Sequence, residues 1–201
     1  MKRPEASPDA GGALSSAPTI RRMTAGDLPA VVAIAAACPE APRWLPADYS
    51  AYTDAAPQFS LLRAGFVAVT SSDSNSPIGF AAVSLLAIPS GQPDPDSRCE
   101  LDSVAVHPHA RRRGLGTALL EAVLAWAREN TARRLVLELR AGNAGALGLY
   151  HRFGLRQEGR RPRYYADPEE DALLLGMAIT SESATASFST EKAVEGGPPR
   201  C

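Results

Sequence analysis

The start of the chain predicts one strand and one helix. Residues 19–23, with the sequence TIRRM, are a short strand candidate. Thr24 and Asp27 have the spacing of a capping box, which predicts a helix over residues 28–37 that ends before Pro39. A strand and then a helix are therefore expected to open the folded region.

Two longer apolar runs predict a hairpin. A second helix is expected near residues 47–55, before the first of these runs. Residues 59–70 and 78–88 are separated by the polar stretch SSDSNSP, which indicates a turn between antiparallel strands. A loop rich in Pro, Asp and Gly then leads to a predicted strand at residues 99–107.

The second half of the chain alternates helical and strand patterns. Leucine, valine and tryptophan recur at helical spacing over residues 114–129, which predicts an amphipathic helix. Residues 135–139 predict a buried strand, residues 143–153 a helix ending at Gly154, and residues 171–179 a final apolar strand. Antiparallel hairpins followed by two β-α-β steps predict an α/β (α+β) fold, with a mixed sheet and helices on both faces.

The ends of the chain differ from its centre. Residues 1–17 and 181–201 are rich in small and polar residues without a hydrophobic period, so we expect two disordered tails around one domain at residues 18–180. No apolar run approaches the roughly 18 residues of a membrane span, and the first residues lack the apolar core of a secretion signal. The three cysteines show no close pairing, which fits a reducing compartment. These features predict a cytoplasmic protein with no membrane partner.

The charges nearly cancel over the whole chain. The 21 Lys and Arg residues stand against 22 Asp and Glu residues. A general nucleic-acid binder usually carries a basic surplus, so no direct nucleic-acid partner is expected. Any electrostatic effect must therefore be local.

The stretch LDSVAVHPHARRRGLGTALL contains the most informative local pattern. A strand ends, three arginines and the sequence Gly-Leu-Gly follow, and a helix begins at once. Gly114 and Gly116 lack side chains, so an anion can approach the free amides of the helix start, and the arginines can add charged hydrogen bonds. The alternative is a basic helix start without a ligand. The pattern is neither a Walker motif nor a dinucleotide fingerprint.

This stretch, followed later by LELRAGNAGALGLYHRFG, resembles the GNAT family of acetyl-CoA-dependent N-acetyltransferases over residues 18–180. The ending RRPRYYADPEEDALLLGM is similar to that of the RimI-like ribosomal-protein alanine N-acetyltransferases within the family. The resemblance implies a GNAT fold, with a mostly antiparallel sheet and one splayed strand pair. It also implies acetyl transfer from acetyl-CoA to the N-terminal α-amine of a protein, an alanine of a ribosomal protein.

The resemblance also implies a cofactor site without a metal. It places the CoA pyrophosphate on the turn before the helix and the pantetheine arm along the preceding strand. Asn143, whose position also predicts a helix N-cap, is implied to contact the CoA arm. The three histidines lack metal-ligand spacing. The cofactor-binding residues implied are Val104, Ala105, Val106, Arg111, Arg112, Arg113, Gly114, Leu115, Gly116, Thr117 and Asn143.

Two residues are candidates for acid-base catalysis. Glu138 stands in the otherwise apolar run LVLELR, where a carboxylate is costly without a partner or a role. From the residues alone it is either a general base or an outward-facing side chain paired with Arg140 or Arg134. Tyr150, late in a predicted amphipathic helix, reads by itself as a packing residue. The resemblance assigns the base to Glu138 and the acid that protonates the departing thiolate to Tyr150.

Three further residues are candidates for acceptor binding. Asp102 is a charged residue in a strand that approaches the expected cleft, so it either binds the acceptor amine or occupies an exposed strand position. The resemblance implies that Tyr164 and Tyr165 line the acceptor cleft, and the alternative is a solvated loop with aromatic cover. The arginines of residues 152–163 either steer a partner or form a solvated basic face.

The residues leave other functions open. A GNAT-like enzyme could acetylate a small-molecule amine or a lysine side chain instead of an α-amine. A non-catalytic module that binds acetyl-CoA is a third hypothesis, which the presence of both Glu138 and Tyr150 disfavours.

Overall fold

The computed structural model describes residues 19–42, 44–53, 61–70, 73–86 and 97–180, with no side-chain description for residues 70–75. The tails predicted at residues 1–17 and 181–201 lie outside these ranges. The strands are β1 (Thr19–Arg22), β2 (Leu61–Thr70), β3 (Asp73–Leu86), β4 (Arg98–Val106), β5 (Arg134–Arg140), β6 (Arg156–Ala166) and β7 (Glu169–Ala178). The helices are α1 (Leu28–Ala36), α2 (Pro46–Ser50), α3 (Leu115–Glu129) and α4 (Ala144–Arg152).

The strands form one mixed sheet in the order β1-β2-β3-β4-β5-β7-β6. Neighbouring strands are antiparallel except β4 and β5, which are parallel and are connected by α3. A parallel pair needs a long crossover, and α3 supplies it. The predicted mixed, mostly antiparallel sheet is confirmed.

Helices cover both faces of the sheet, as predicted. The alternation of side chains along β2 shows the two layers: Ala64 and Phe66 belong to the core under α3, while Val67 and Val69 belong to the core under α1 and α2. Tyr150 of α4 belongs to the first of these cores. The strand β2 therefore serves two cores, which explains why its polar positions are so few.

The helix α3 shows why the amphipathic pattern was a reliable signal. Leu115, Leu119 and Val123 recur every four residues and are all less than 3% exposed. Residues at this spacing lie on one face of a helix, and here that face packs on the sheet. No helix in the described part of the chain is long and apolar enough to cross a membrane.

The strand β6 was missed by the sequence analysis, which read its residues as a basic stretch. All of its side chains are exposed or half-buried, because β6 is an edge strand with arginines at much of its surface. Hydrophobic alternation is the main strand signal, and an edge strand with two solvated faces lacks it. The pairing with β7 creates this strand.

The second predicted β-α-β step is wrong, because the unpredicted strand β6 follows α4. The chain leaves β5, passes through α4, and then forms β6 before it turns back into β7. The final apolar strand β7 therefore runs antiparallel to β5 and lies between β5 and β6. An unpredicted strand reverses the direction of the next one.

The predicted capping box before α1 is confirmed, and the structure adds a partner to it. The Asp27 carboxylate accepts hydrogen bonds from the Thr24 amide at 2.8 Å and the Thr24 hydroxyl at 2.9 Å. Arg21 of β1 donates to both Asp27 oxygens at 2.7 Å. Asp27 is only 3% exposed, so this bidentate pair joins the edge strand to the first helix inside the protein.

Replacement of Asp27 with Asn is expected to lower the free energy of unfolding by about 1.5–3 kcal/mol, because a buried, charge-assisted network is broken. The Arg21 and Thr24 hydrogen bonds hold the pKa of Asp27 below its usual range. The ionised form therefore stabilises the fold above the unfolded pKa near 4, and this contribution is lost as the pH falls through the folded pKa. Urea unfolding measured between pH 7 and pH 3 should show that the difference in free energy of unfolding between the wild type and Asp27→Asn decreases as the pH falls.

Asp48→Asn is the matched control for this substitution. Asp48 also accepts a backbone amide at a helix start, that of Leu45 at 2.7 Å, but it is exposed and no arginine pairs with it among the described residues. Asp48→Asn is expected to lower the free energy of unfolding by less than Asp27→Asn. Equal losses for the two variants would show that the Arg21 pair contributes nothing.

Candidate active site

A split in the sheet opens a cavity. The strands β4 and β5 pair only from Arg98 with Arg134 to Glu100 with Val136. Beyond this point β5 continues its ladder with β7 on its other side, while β4 continues with β3. The two parallel strands therefore separate, as the resemblance implied, and a cleft of about 950 Å³ opens there.

The backbone of β4 faces this gap at alternate residues. The His107 amide donates to the Ile78 carbonyl, so in the antiparallel ladder the amides and carbonyls of Val104 and Val106 point away from β3 and towards the gap. The Val106 carbonyl already accepts from Arg111 Nε at 3.2 Å and Cys38 Sγ at 3.4 Å. The polar groups of Val104 and the Val106 amide are the ones that remain for a ligand.

The turn between β4 and α3 forms one end of the cleft. Gly114 is the residue before the helix and has φ +80°, in the left-handed region that favours glycine, and Arg112 has φ +64°. The first helical hydrogen bond runs from the Ala118 amide to the Gly114 carbonyl at 3.0 Å. The three amides before Ala118 therefore have no acceptor inside the helix, and no side chain caps them. This is a suitable site for an anion.

Most of the predicted cofactor-binding residues line the cleft. Ala105 and Arg113 do not line it. Ala105 is buried in the core under α1 and α2. Arg111 lines the cleft, but its guanidinium also contacts Glu40 at 3.4 Å. The predicted residues on the wall are Val104, Val106, Arg111, Arg112, Gly114, Leu115, Gly116, Thr117 and Asn143.

Glu138 lies on β5 and lines the opposite wall of the cleft. Its side chain is 24% exposed and pairs with Arg161 of β6 at 2.9 Å. The alternative pairing with Arg134 or Arg140 is wrong, because Arg134 pairs with Glu158 and Arg140 with Glu170. The sequence could not indicate the Arg161 partner, since β6 itself was not predicted.

Tyr150 packs in the core, as its residue pattern predicts, and it also reaches the cleft, where the resemblance implies an acid. Its ring is 5% exposed and belongs to the core under α3, and the same residue lines the cleft. Burial raises the pKa of its phenol well above the usual value. Tyr150 is therefore protonated at neutral pH and can only donate a proton there.

Asn143 begins α4, as predicted. Its side-chain oxygen accepts the Ala146 amide at 3.1 Å, which satisfies one free donor of the helix start. Asn143 also lines the cleft, so capping and ligand contact are compatible.

Asp102 lies in a β-bulge of β4. Leu101 pairs with Val83 and Ser103 with Ala82, so Asp102 is the extra residue between them. Its Oδ1 atom accepts from Ser84 Oγ at 3.1 Å, whereas its Oδ2 atom is buried without a hydrogen-bond partner. Burial raises the pKa of this carboxyl to about 6. The exposed-strand alternative is wrong, because Asp102 is half-buried and lines the cleft.

Tyr164 and Tyr165 belong to the strand β6 and not to a loop, and both line the cleft, although Tyr164 is 51% exposed. Their rings meet edge to face with centroids 5.1 Å apart. Arg140 lies 4.2 Å from the centre of the Tyr165 ring. This arginine was not among the predicted site residues, because its role depends on the distant hairpin of β6 and β7.

Trp44 is a second lining residue that the sequence analysis did not single out. Its ring stacks on Tyr52 with centroids 5.5 Å apart and an interplanar angle of 8°. A lone tryptophan in a Pro-rich stretch carries no periodic signal, so only the tertiary structure reveals it. Among the described residues, no cluster of three or more His, Cys, Asp or Glu side chains could hold a metal ion.

Comparison with known proteins identifies the family. Residues 29–155, more than half of the chain, match the family described as "Acetyltransferase (GNAT) family". The chain belongs to the GNAT family. The fold agrees, since the structure covers 100% of the crystallised Escherichia coli ribosomal-protein-S18-alanine N-acetyltransferase with a TM-score of 0.63, 25% identity and 86% coverage of this chain.

Two curated relatives give the similarity in sequence. The [ribosomal protein bS18]-alanine N-acetyltransferase of Escherichia coli K12 is 38% identical over 82 residues, 40% of this chain and 55% of that protein. The N-alpha-acetyltransferase of Sulfurisphaera tokodaii is 38% identical over 78 residues, 38% of this chain and 46% of that protein. The chain therefore spans about half the length of the curated relatives it matches.

Replacement of Gly114 with Val is expected to weaken CoA binding by at least about tenfold. A branched residue disfavours φ +80°, and its side chain would stand beside the free amides of residues 115–117, a site called the amide turn below. Isothermal titration with CoA measures the change. Gly154→Val is the matched control: Gly154 has φ +92° and equally open surroundings, but it does not line the cleft. Equal affinity losses in both variants would contradict binding at this turn.

Proposed function

We propose that this protein transfers the acetyl group of acetyl-CoA to the N-terminal α-amine of a protein, with an alanine of a ribosomal protein as the acceptor residue. The observation that carries the proposal is the split between β4 and β5, which brings the amide turn, Glu138 and Tyr150 to one cleft. The names of the bacterial relatives support the ribosomal acceptor.

The residues of the cleft fit acetyl-CoA. Free amides at the start of the 15-residue helix α3 suit a pyrophosphate, and Arg112 adds positive charge beside them. A Cβ atom at Gly116 would lie 3.1 Å from the Leu149 side chain, which would then have to shift. The open polar groups of Val104 and the Asn143 side chain would hold the pantetheine arm. When bound, acetyl-CoA supplies an acetyl group activated as a thioester.

The opposite part of the cleft suits an amine. Glu100, Asp102 and Glu138 bring three carboxylates to its wall. Carboxylates favour a protonated amine by Coulomb attraction, and Asp102 offers a buried oxygen without a partner. Asp102, Tyr164 and Tyr165 are the proposed acceptor-binding residues.

Glu138 is the proposed general base. An α-amine has a pKa near 8, so its deprotonation at pH 7 costs about 1.4 kcal/mol, against about 4–5 kcal/mol for a lysine side chain. A carboxylate held by Arg161 can accept this proton directly or through a water molecule. The small cost for an α-amine favours an N-terminal acceptor over lysine.

Tyr150 is the proposed general acid. Its phenol carries a proton at neutral pH even at the usual pKa near 10, and burial raises that pKa further. A thiolate leaving group has a pKa near 8.5 and gains a proton from a donor at this position as the bond to carbon breaks. A backbone amide of β4 facing the gap would polarise the carbonyl.

Glu138→Gln is expected to lower kcat by about 10²–10⁴-fold while CoA affinity stays nearly unchanged. The loss should be greatest at low pH, where less of the amine is neutral. Arg161→Gln removes the same ion pair but keeps the carboxylate, so it should cost much less in kcat. Equal effects of the two variants would mean that Glu138 is only half of a structural ion pair.

Tyr150→Phe keeps the buried ring and removes only the hydroxyl. We expect kcat to fall by about 10²-fold or more, with thermal stability and CoA affinity nearly unchanged. Steady-state kinetics and a melting curve measure both quantities. Full activity would show that the ring serves packing alone.

The acceptor class is tested with peptides. A peptide that begins with alanine and contains no lysine should be acetylated, and its N-terminally blocked counterpart with an internal lysine should not. Acetylation of the blocked peptide would indicate that the acceptor is a lysine side chain. Acetylation of a small amine only would indicate a small-molecule acceptor, and either result would contradict the α-amine proposal. CoA binding without turnover on any of these amines would indicate a non-catalytic module.

Comparison of protein N-termini from cells with and without this protein tests the ribosomal acceptor. Loss of one acetyl group from a ribosomal protein that begins with alanine supports the proposal. An unchanged set of ribosomal N-termini would contradict it.

A further inference from the structure

The edge strand β6 is interrupted where it reaches the cleft. Arg161 lies opposite Ala172 of β7, whereas the next paired residue, Tyr165, lies opposite Glu170. Three residues of β6 therefore face the single residue Asp171 of β7. The bulge directly follows Arg161, which pairs with Glu138, and it contains Tyr164, the first of the two tyrosines of the cleft wall.

The residues of the bulge explain why the ladder breaks but not why the bulge holds its shape. Pro162 has no amide hydrogen to donate to a neighbouring strand. Arg163 has φ +50°, in the left-handed region that residues with a Cβ atom rarely adopt. Such a conformation persists only when the surroundings stabilise it.

Asp171 supplies that stabilisation. Its Oδ1 atom accepts the Arg163 amide at 2.7 Å, and its Oδ2 atom accepts Arg160 Nε at 2.5 Å. The two oxygens thus bind β6 on both sides of Pro162. The Arg163 amide, followed by the Arg160 side chain, lowers the pKa of Asp171, so the carboxylate is charged at neutral pH.

The bulge carries groups that reach the acceptor side of the cleft. Arg161 pairs with Glu138 at 2.9 Å, and its guanidinium lies 5.4 Å from the centre of the Tyr164 ring. Tyr164 in turn meets Tyr165 edge to face. A change of backbone path at Arg163 would therefore move the cation beside Glu138 and the first of the two tyrosines.

We propose that Asp171 is a positioning residue for the acceptor site, which holds the left-handed bulge at Arg163 so that Tyr164 and Arg161 face Glu138. The proposal rests on the function proposed above for the cleft. Asp171 does not line the cleft and acts through the bulge. A purely structural role in the hairpin would affect stability and leave acceptor binding alone.

Asp171→Ala removes both hydrogen bonds and is expected to raise the acceptor KM by about tenfold to a hundredfold, since small displacements of positioning groups have effects of this size. CoA affinity should stay within about twofold, because the amide turn lies elsewhere in the cleft. Asp171→Asn keeps one acceptor for the Arg163 amide and should show a smaller rise. It also serves if the alanine variant folds poorly.

Glu158→Gln is the matched control. Glu158 is also a carboxylate of the β6–β7 hairpin that pairs with an arginine, Arg134, but it lies at the far end of β6 from the bulge. We expect its acceptor KM to equal that of the wild type. A rise as large as that of Asp171→Ala would show that any damage to the hairpin produces the effect.

Arg163→Gly in the Asp171→Ala background supplies a direct test of the mechanism. Glycine adopts positive φ without penalty, so the bulge can form with less help from the carboxylate. In the double variant the acceptor KM should fall most of the way back to the wild-type value, whether or not the melting temperature also returns. The proposal would be overturned if Asp171→Ala changed the melting temperature but left the acceptor KM unchanged. It would also be overturned if the acceptor KM of the double variant stayed as high as that of Asp171→Ala.

Amide hydrogen exchange at Arg163 separates this proposal from the function on which it rests. Exchange should be slow in the wild type and faster in Asp171→Ala. If the wild type acetylates only lysine or small amines, the proposed acceptor is wrong, and the same KM comparison with the accepted amine still tests Asp171. If no amine is acetylated, both proposals fail.

Discussion

The separation of two parallel strands is the constraint on which the rest of the site depends. β4 is bonded along its length to β3 and β5 to β7, so each strand has a complete ladder on one side even where the two part. They share three paired positions and then leave backbone groups open along β4. An open ladder inside a sheet is costly unless a ligand or solvent satisfies it. Glu138 and Tyr150, the proposed catalytic residues, line the cleft that opens at this gap.

The cleft wall brings opposite charges close together. Arg111 and Arg112 stand at the turn before α3, where Arg111 contacts Glu40, and Glu138 on β5 pairs with Arg161 of β6. Under the proposed function, the free amides of the turn suit the anionic donor, and Glu100 and Asp102 of β4 suit a cationic acceptor. The near-zero net charge of the chain conceals these groups, because a sum over the chain does not record where the charges lie.

Some elements of the fold can be predicted from their own residues and others cannot, for physical reasons. α3 was predicted within one residue, because a helix that packs one face on a sheet must repeat leucine and valine every four residues. The amide turn was predicted because it depends on contiguous residues from Arg111 to Gly116. β6 was missed, since an exposed edge strand has no apolar period, and the Arg161 partner of Glu138 and the Arg140 stack on Tyr165 were missed with it.

The sequence by itself determined the local features: the caps at Asp27 and Asn143, the glycine turn at Gly114, the buried faces of the helices, and the family to which these motifs belong. Each depends on residues within a few positions of one another, where backbone geometry allows few arrangements. Only the tertiary structure decided which carboxylate meets which arginine, which face of β4 carries the bulged Asp102, and how Asp171 shapes the cleft wall. Those pairings join strands far apart in the chain, and their register is set by the packing of the whole sheet.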